Sequence, residues 1–171
     1  MNEVLRHWAQ AVATSAPHDW AVSALRNVPG LPPILQAIHI VSISVLVASV
    51  MFIHFRVLGM AYPSQQPREM VERLMPWTWW ALPVLLISAL PFILARPNRY
   101  FLNPVFGIKV AAIVAVLIIT IVFVRMVRES SGGDRLGLGI KFMSVASLLL
   151  WLLIMFAGRW IAYVDYLFPP A

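Results

Sequence analysis

Cysteine is absent from this sequence. That excludes disulfides, thiolate metal sites and cysteine nucleophiles, and cysteine usage says nothing about compartment. Charge is scarce as well. Only 12% of the residues are Asp, Glu, Lys or Arg, about half the fraction found in soluble domains. Carboxylates are missing from the long apolar blocks: Glu69, Glu72, Glu129 and Asp134 all fall between them. A carboxylate-based proton or cation pathway through those blocks is therefore not expected. No phosphate loop, nucleophile triad or paired-carboxylate site is visible, and no lipidation motif. The first residues do not have the order of a signal peptide. Glu3 and Arg6 are followed by a mixed polar stretch, and no apolar run begins before residue 34.

What is present is apolar. Hydrophobic residues make up 61% of the chain, and they come in long uninterrupted blocks. An amphipathic surface helix needs a polar face toward water, and these blocks have none. They predict an all-α integral membrane protein, a four-helix bundle preceded by short N-terminal interfacial helices. The formal charge of +6 fits the same class, because the basic residues cluster beside apolar runs and orient them in a bilayer. The expected partner of that charge is lipid, not nucleic acid.

Three segments follow from the punctuation. Residues 1–33 form an interfacial segment, in which Val4, Trp8, Ala11 and Val12, and then Trp20, Ala24 and Val28, recur at helical spacing. Pro17 and the Pro29-Gly30 and Pro32-Pro33 pairs interrupt it. Residues 34–163 carry four spans, near 34–58, 77–95, 105–126 and 140–163, each close to the roughly 20 residues that cross a hydrocarbon core. Pro83 and Pro91 lie inside the second, where they are expected to kink the helix. Gly132-Gly133, Gly137 and Gly139 mark the loop before the fourth. Residues 164–171 form a C-terminal tail. Short loops favour an antiparallel up-down-up-down bundle. The first and third loops, with adjoining span ends, hold Arg56, Arg68, Arg73, Arg125, Arg128, Arg135 and Lys141. The other side holds Arg6, Arg26, Arg96 and Arg99, with Lys109 and Arg159 inside spans. This bias puts the loops in the cytoplasm and both termini in the periplasm of a bacterial inner membrane. Trp77, Trp79, Trp80, Trp160, Tyr163 and Tyr166 read as interfacial belts, and Trp151 as mid-span packing.

Ionisable side chains inside a span are costly, so each calls for a partner or a role. His39 and His54 stand out. They are 15 positions apart on the first span, hence only about 60° apart around the helix and roughly 22 Å along it. Both can face the bundle interior, one near each membrane surface, with Ser42, Leu46, Ser49, Val50 and Ile53 near the same face. Imidazole is a strong axial ligand of haem iron, and apolar walls suit the macrocycle. Lys109 and Arg159 lie near the depth of His39, and Arg56 and Arg125 near that of His54. Each histidine thus has cations available for haem propionates. A second axial ligand could come from His7 or His18 folding back, from Met143 or Met155, or from a two-fold axis pairing each histidine with its copy in a homodimer. Most span methionines are core filler. Asp165 is within reach of Arg159 as an ion-pair partner.

Several local strings carry a resemblance. They are Ile38-His39-Ile40, Phe55-Arg56-Val57-Leu58-Gly59, Asn103-Pro104-Val105-Phe106-Gly107-Ile108-Lys109 and Gly158-Arg159-Trp160-Ile161-Ala162-Tyr163. Over roughly residues 34–163 the chain resembles an uncharacterised family of small four-helix bacterial membrane proteins. In that family an early His begins the first span, an acidic-Leu-Arg-Leu-Leu-Gly run ends it, and a Lys begins the third. His54 stands here at the acidic position, so no site at His54 carries over. More distantly, the His-bearing first helix and Lys-bearing third are similar to the small membrane protoporphyrinogen oxidases and to the copper-resistance D-like proteins. The first resemblance implies tetrapyrrole binding and the second copper handling.

The expectation is therefore a protein that binds one or two haem b groups and carries electrons within or across the membrane. His39 and His54 are the expected iron ligands; Lys109, Arg159, Arg56 and Arg125 are the expected propionate partners. Redox proteins or a larger membrane complex would be its partners. The alternatives are copper handling through His39, His54 and methionines, a non-catalytic accessory subunit, and an enzyme of porphyrin metabolism.

Overall fold

The computed structural model describes residues 2–130 and 137–163. They form seven helices: α1 (Asn2–Ala13), α2 (Ala16–Asn27), α3 (Leu31–Val57), α4 (Pro67–Ala95), α5 (Pro97–Phe101), α6 (Pro104–Glu129) and α7 (Leu138–Trp160), with a short 3-10 turn at Ile161–Tyr163. No strand occurs among the described residues. Gly132, Gly133, Asp134, Arg135, Asp165 and Tyr166 lie outside them.

Proline starts the helices rather than breaking them. Each of α2 to α6 has a proline in its first turn, where the missing N–H would have had no partner anyway. At α6 the Asn103 side chain also caps, accepting from the Val105 N–H at 2.9 Å. α3 ends at Gly59, whose φ of 75° is left-handed and suits glycine. There the Met60 N–H reaches the Phe55 carbonyl and the Gly59 N–H the Arg56 carbonyl, a Schellman end that satisfies the last carbonyls.

The second span is longer than its apolar run. α4 begins at Pro67, ten residues before Trp77. The added turns carry Arg68–Glu72 and Arg73–Glu69 ion pairs at 3.0 and 3.1 Å. Their charges resemble loop composition, yet i,i+4 spacing makes them helix-stabilising. α4 then runs as one helix through Pro76, Pro83 and Pro91. The five-residue α5 was not legible, because its apolar content is too small to show a period.

The four long helices pack mainly as two hairpins, α3 with α4 and α6 with α7, and α3–α7 and α4–α6 contacts close the ring. Two buried apolar clusters fill it. Toward the end carrying the α3–α4 loop sit Ile53, Val57, Met70, Val71, Met75, Phe123, Val124, Val127 and Ile140. Farther along sit Leu46, Val50, Ala81, Ala112, Val116, Trp151 and Ile154. The outside is apolar too. All four long helices are long and apolar enough to span a bilayer, and only 17–33% of their most apolar windows are buried inside. A surface of that kind belongs in lipid.

At the opposite end, called here the terminal end, α1 packs on α5 and α2 on α4. Ala9 and Ala21 are the fully buried contact points, whereas Val4, Trp8 and Trp20 are 59–63% exposed. The small residues permit close approach, and the tryptophans stay on the outer face of these short helices.

Candidate functional site

One residue from each long helix meets at the terminal end of the bundle. His39 comes from the third turn of α3 and Ser88 from the last third of α4. Antiparallel packing puts them side by side, with His39 Nδ1 2.8 Å from Ser88 Oγ. Ser88 is 2% exposed, and its hydroxyl donates to the Leu85 carbonyl at 3.1 Å. With that proton directed to Leu85, the Ser88 oxygen accepts from His39 Nδ1–H, which assigns the hydrogen to Nδ1. The Leu85 carbonyl, which can only accept, faces the same ring. A neutral imidazole with Nδ1–H has its lone pair on Nε2. His39 is thereby held as an electron-pair donor in a half-buried position.

Lys109, near the start of α6, lies close enough for its charge to act on the His39 ring. Its position depends on α7. A Cβ built on Gly158 would stand 3.2 Å from Lys109 Nζ and 3.7 Å from Cε. Glycine at 158 thus leaves room for the ammonium against the α7 backbone. Arg159 is next in sequence but points elsewhere. It is exposed, donates to the Tyr163 hydroxyl at 2.8 Å and lies 5.0 Å over the Tyr163 ring. Asp165, its expected partner, lies outside the described residues.

The second histidine has a different setting. His54 is 2% exposed, with its ring 4.6 Å from that of Phe123. The cations expected beside it are directed away. Arg56 is buried, and its Nε donates to the Gln65 carbonyl, tying α3 to the following loop. Arg125 is exposed on α6, beside the buried Phe123 and Val124. Of the two expected histidine-plus-cation groups, the structure assembles the one at His39 with Lys109.

The other proposed ligands fall as follows. His18 Nδ1 is 2.8 Å from the Leu94 carbonyl, so it ties α2 to the C-terminal turn of α4. His7 is exposed. Met143 packs with Met126 against the loop-end cluster that contains Met70 and Met75. A cavity of about 240 Å³ opens beside Phe52, Tyr62, Gln65 and Arg73 at the loop end, the opposite end from His39. Among the described residues no group of three or more His, Asp or Glu side chains is placed to hold a metal ion.

Sequence reasoning missed Ser88 and the steric role of Gly158. Ser88 sits in a plain apolar stretch, and only the α3–α4 register connects it to His39. The signal for Gly158 was the pairing of a small residue on one span with a cation on another.

A haem needs from the chain an axial nitrogen donor, apolar walls and cations for its propionates. His39 Nε2 is such a donor, Lys109 supplies the cation, and the surrounding spans are apolar. These residues fit the group.

Residues 31–164 match the profile of a family of unknown function, DUF6644. The matched segment begins where α3 begins and covers all four spans. No curated protein and no solved structure matches the chain.

Proposed function

For this chain, which belongs to the DUF6644 family, we propose a haem b-binding electron carrier of the bacterial cytoplasmic membrane. The observation that carries the reading is the hydrogen-bond chain His39–Ser88–Leu85. It leaves Nε2 of a half-buried membrane histidine as a free donor beside Lys109. Metal-binding histidines are commonly oriented in this way through their other ring nitrogen.

In this reading His39 is the axial ligand and Lys109 pairs with a propionate. Arg159 is a second cation at the same end, held by Tyr163. Bound iron supplies one-electron chemistry; the chain orients the ligand and keeps water from it. The reading gives one haem to the protomer. His54 is closed in by Phe123 and the loop-end cluster, and Arg56 and Arg125 are engaged or directed away from it. A sixth ligand would come from a second protomer. The basic bias of the α3–α4 and α6–α7 connections puts those loops in the cytoplasm and the site on the periplasmic side. Its partners would be redox proteins or a larger membrane complex.

The test is an oxidised and dithionite-reduced visible spectrum of the purified protein, with iron and copper quantified on the same sample. A Soret band with sharp reduced α and β bands and about one haem per chain is expected. A colourless protein from haem-replete cells would overturn the reading.

A second reading, copper handling, is favoured by one observation: Met70, Met75, Met126 and Met143 converge on a single cluster that sequence spacing had left scattered. Thioethers suit Cu(I). Stoichiometric copper in the colourless case would select it.

A further inference from the structure

The two apolar clusters are separated by a polar layer. On α4, Thr78 lies between Met75 of the loop-end cluster and Ala81 of the other. On α7, Ser144 and Ser147 lie between Ile140 and Trp151, and on α3 His54 lies just to the loop side of Ile53, at the edge of the loop-end cluster. Ser49 and Thr120 occupy the corresponding positions of α3 and α6. Every long helix therefore places a hydroxyl near this level, and all five hydroxyl residues are at most 6% exposed.

Five buried polar atoms in this layer or flanking it have no hydrogen-bond partner among the described residues: His54 Nδ1, Thr78 Oγ1, Ser144 Oγ, Ser147 Oγ and Trp151 Nε1. The serines elsewhere in the chain show how such a hydroxyl is usually satisfied. Ser42, Ser44 and Ser49 each donate to the carbonyl four residues back, and Ser88 and Ser130 to the one three back. Thr78, Ser144 and Ser147 do not make this bond, although it is open to any helical hydroxyl. Ser144, Ser147 and Trp151 recur at i, i+3 and i+7, which puts them on one face of α7. That face, Thr78 and His54 all belong to the bundle interior.

An unpaired buried polar atom is costly, and five of them would be a heavy burden on a small bundle. Lipid cannot relieve it, because the atoms face inward. Charged ligands are not matched: no carboxylate or cation stands among these five groups. The set is neutral and mixed, with hydroxyls that donate and accept, an indole that donates, and an imidazole nitrogen that does one or the other.

We infer that the waist of the bundle is an internal water-binding site, formed by His54, Thr78, Ser144, Ser147 and Trp151. A buried water makes about three hydrogen bonds, so about two waters satisfy the five atoms. This gives His54 a role that needs no haem.

Hydroxyl-radical footprinting of the full chain in lipid nanodiscs tests it, because radiolysis of bound water labels the side chains beside it. Trp151 and His54 should be oxidised despite burial, and labelling should fall several-fold in a Thr78→Val, Ser144→Ala, Ser147→Ala variant. Thermal melting of the single Thr78→Val variant gives a separate sign. Removing a hydroxyl that holds water should lower the midpoint, whereas removing an unsatisfied one should raise it. Background labelling of Trp151 and His54 in the wild-type protein overturns the inference, as does labelling unchanged in the triple variant or a raised midpoint in Thr78→Val.

Discussion

Ser88 bridges His39 and the Leu85 carbonyl: its oxygen lies 2.8 Å from His39 Nδ1 and 3.1 Å from the carbonyl, and with its proton directed to Leu85 it accepts the Nδ1–H of His39. The free lone pair on Nε2 is a consequence of a serine 49 residues later in the chain.

The two residues should therefore fail differently. His39→Ala removes the donor atom and should abolish the haem spectrum without unfolding the bundle. Ser88→Ala keeps the imidazole but frees it to rotate and change tautomer. Loss of such an orienting partner typically weakens metal binding about 10- to 100-fold. Haem titration of the two purified variants checks this. Equal retention of haem in wild type and His39→Ala would remove His39 from the site.

The Lys109–Gly158 contact predicts a graded effect. A methyl group on residue 158 would meet Lys109 Nζ at 3.2 Å, and a lysine tip can yield by a few tenths of an ångström. Gly158→Ala should fold with near-normal thermal stability while displacing the ammonium. Lys109→Met removes the charge and keeps the apolar stem. Both should lower haem occupancy, Lys109→Met more strongly. Occupancy and melting midpoint measured on the same preparations separate a site effect from a folding one.

The four-span fold was legible because apolar blocks of membrane length allow little else. The boundaries were less so. The start of α4 was hidden because Arg68, Glu69, Glu72 and Arg73 look like a loop when counted and like a helix only when paired at i,i+4. His39 and Lys109 stood out in the sequence because charge and imidazole are rare in spans. Ser88 was not, since one serine in an apolar helix carries no signal until the α3–α4 register is known. At His54 the depth argument gave Arg56 and Arg125 a level but no direction. Arg56 turns to the Gln65 carbonyl, and Arg125 lies on an exposed face. Depth follows from residue counting; direction follows from packing.

His54 offers a test of haem number. Its ring lies against Phe123 at 4.6 Å inside an apolar cluster. His54→Leu should leave the haem-to-protein ratio of the wild type unchanged, because the proposed haem site is at His39. Pyridine haemochrome quantification against protein mass reads this directly. A fall to half the wild-type ratio would instead establish the second haem that the spacing of His39 and His54 originally suggested.

The absence of cysteine makes sidedness simple to measure, because any introduced thiol is the only one present. Ser64 lies exposed in the α3–α4 loop and Thr14 lies exposed between α1 and α2. The antiparallel bundle puts these positions at opposite ends. Arg68, Arg73, Arg125 and Arg128 accompany the first, and Arg6, Arg26, Arg96 and Arg99 the second. With Arg56, Arg135 and Lys141 the first side holds the larger share, which biases the two connections toward the cytoplasm. In intact cells a membrane-impermeant maleimide should label Thr14→Cys and leave Ser64→Cys unlabelled until the membrane is opened. The reverse pattern would put His39 and Lys109 on the cytoplasmic side, and electron exchange at this site would then be with cytoplasmic rather than periplasmic partners.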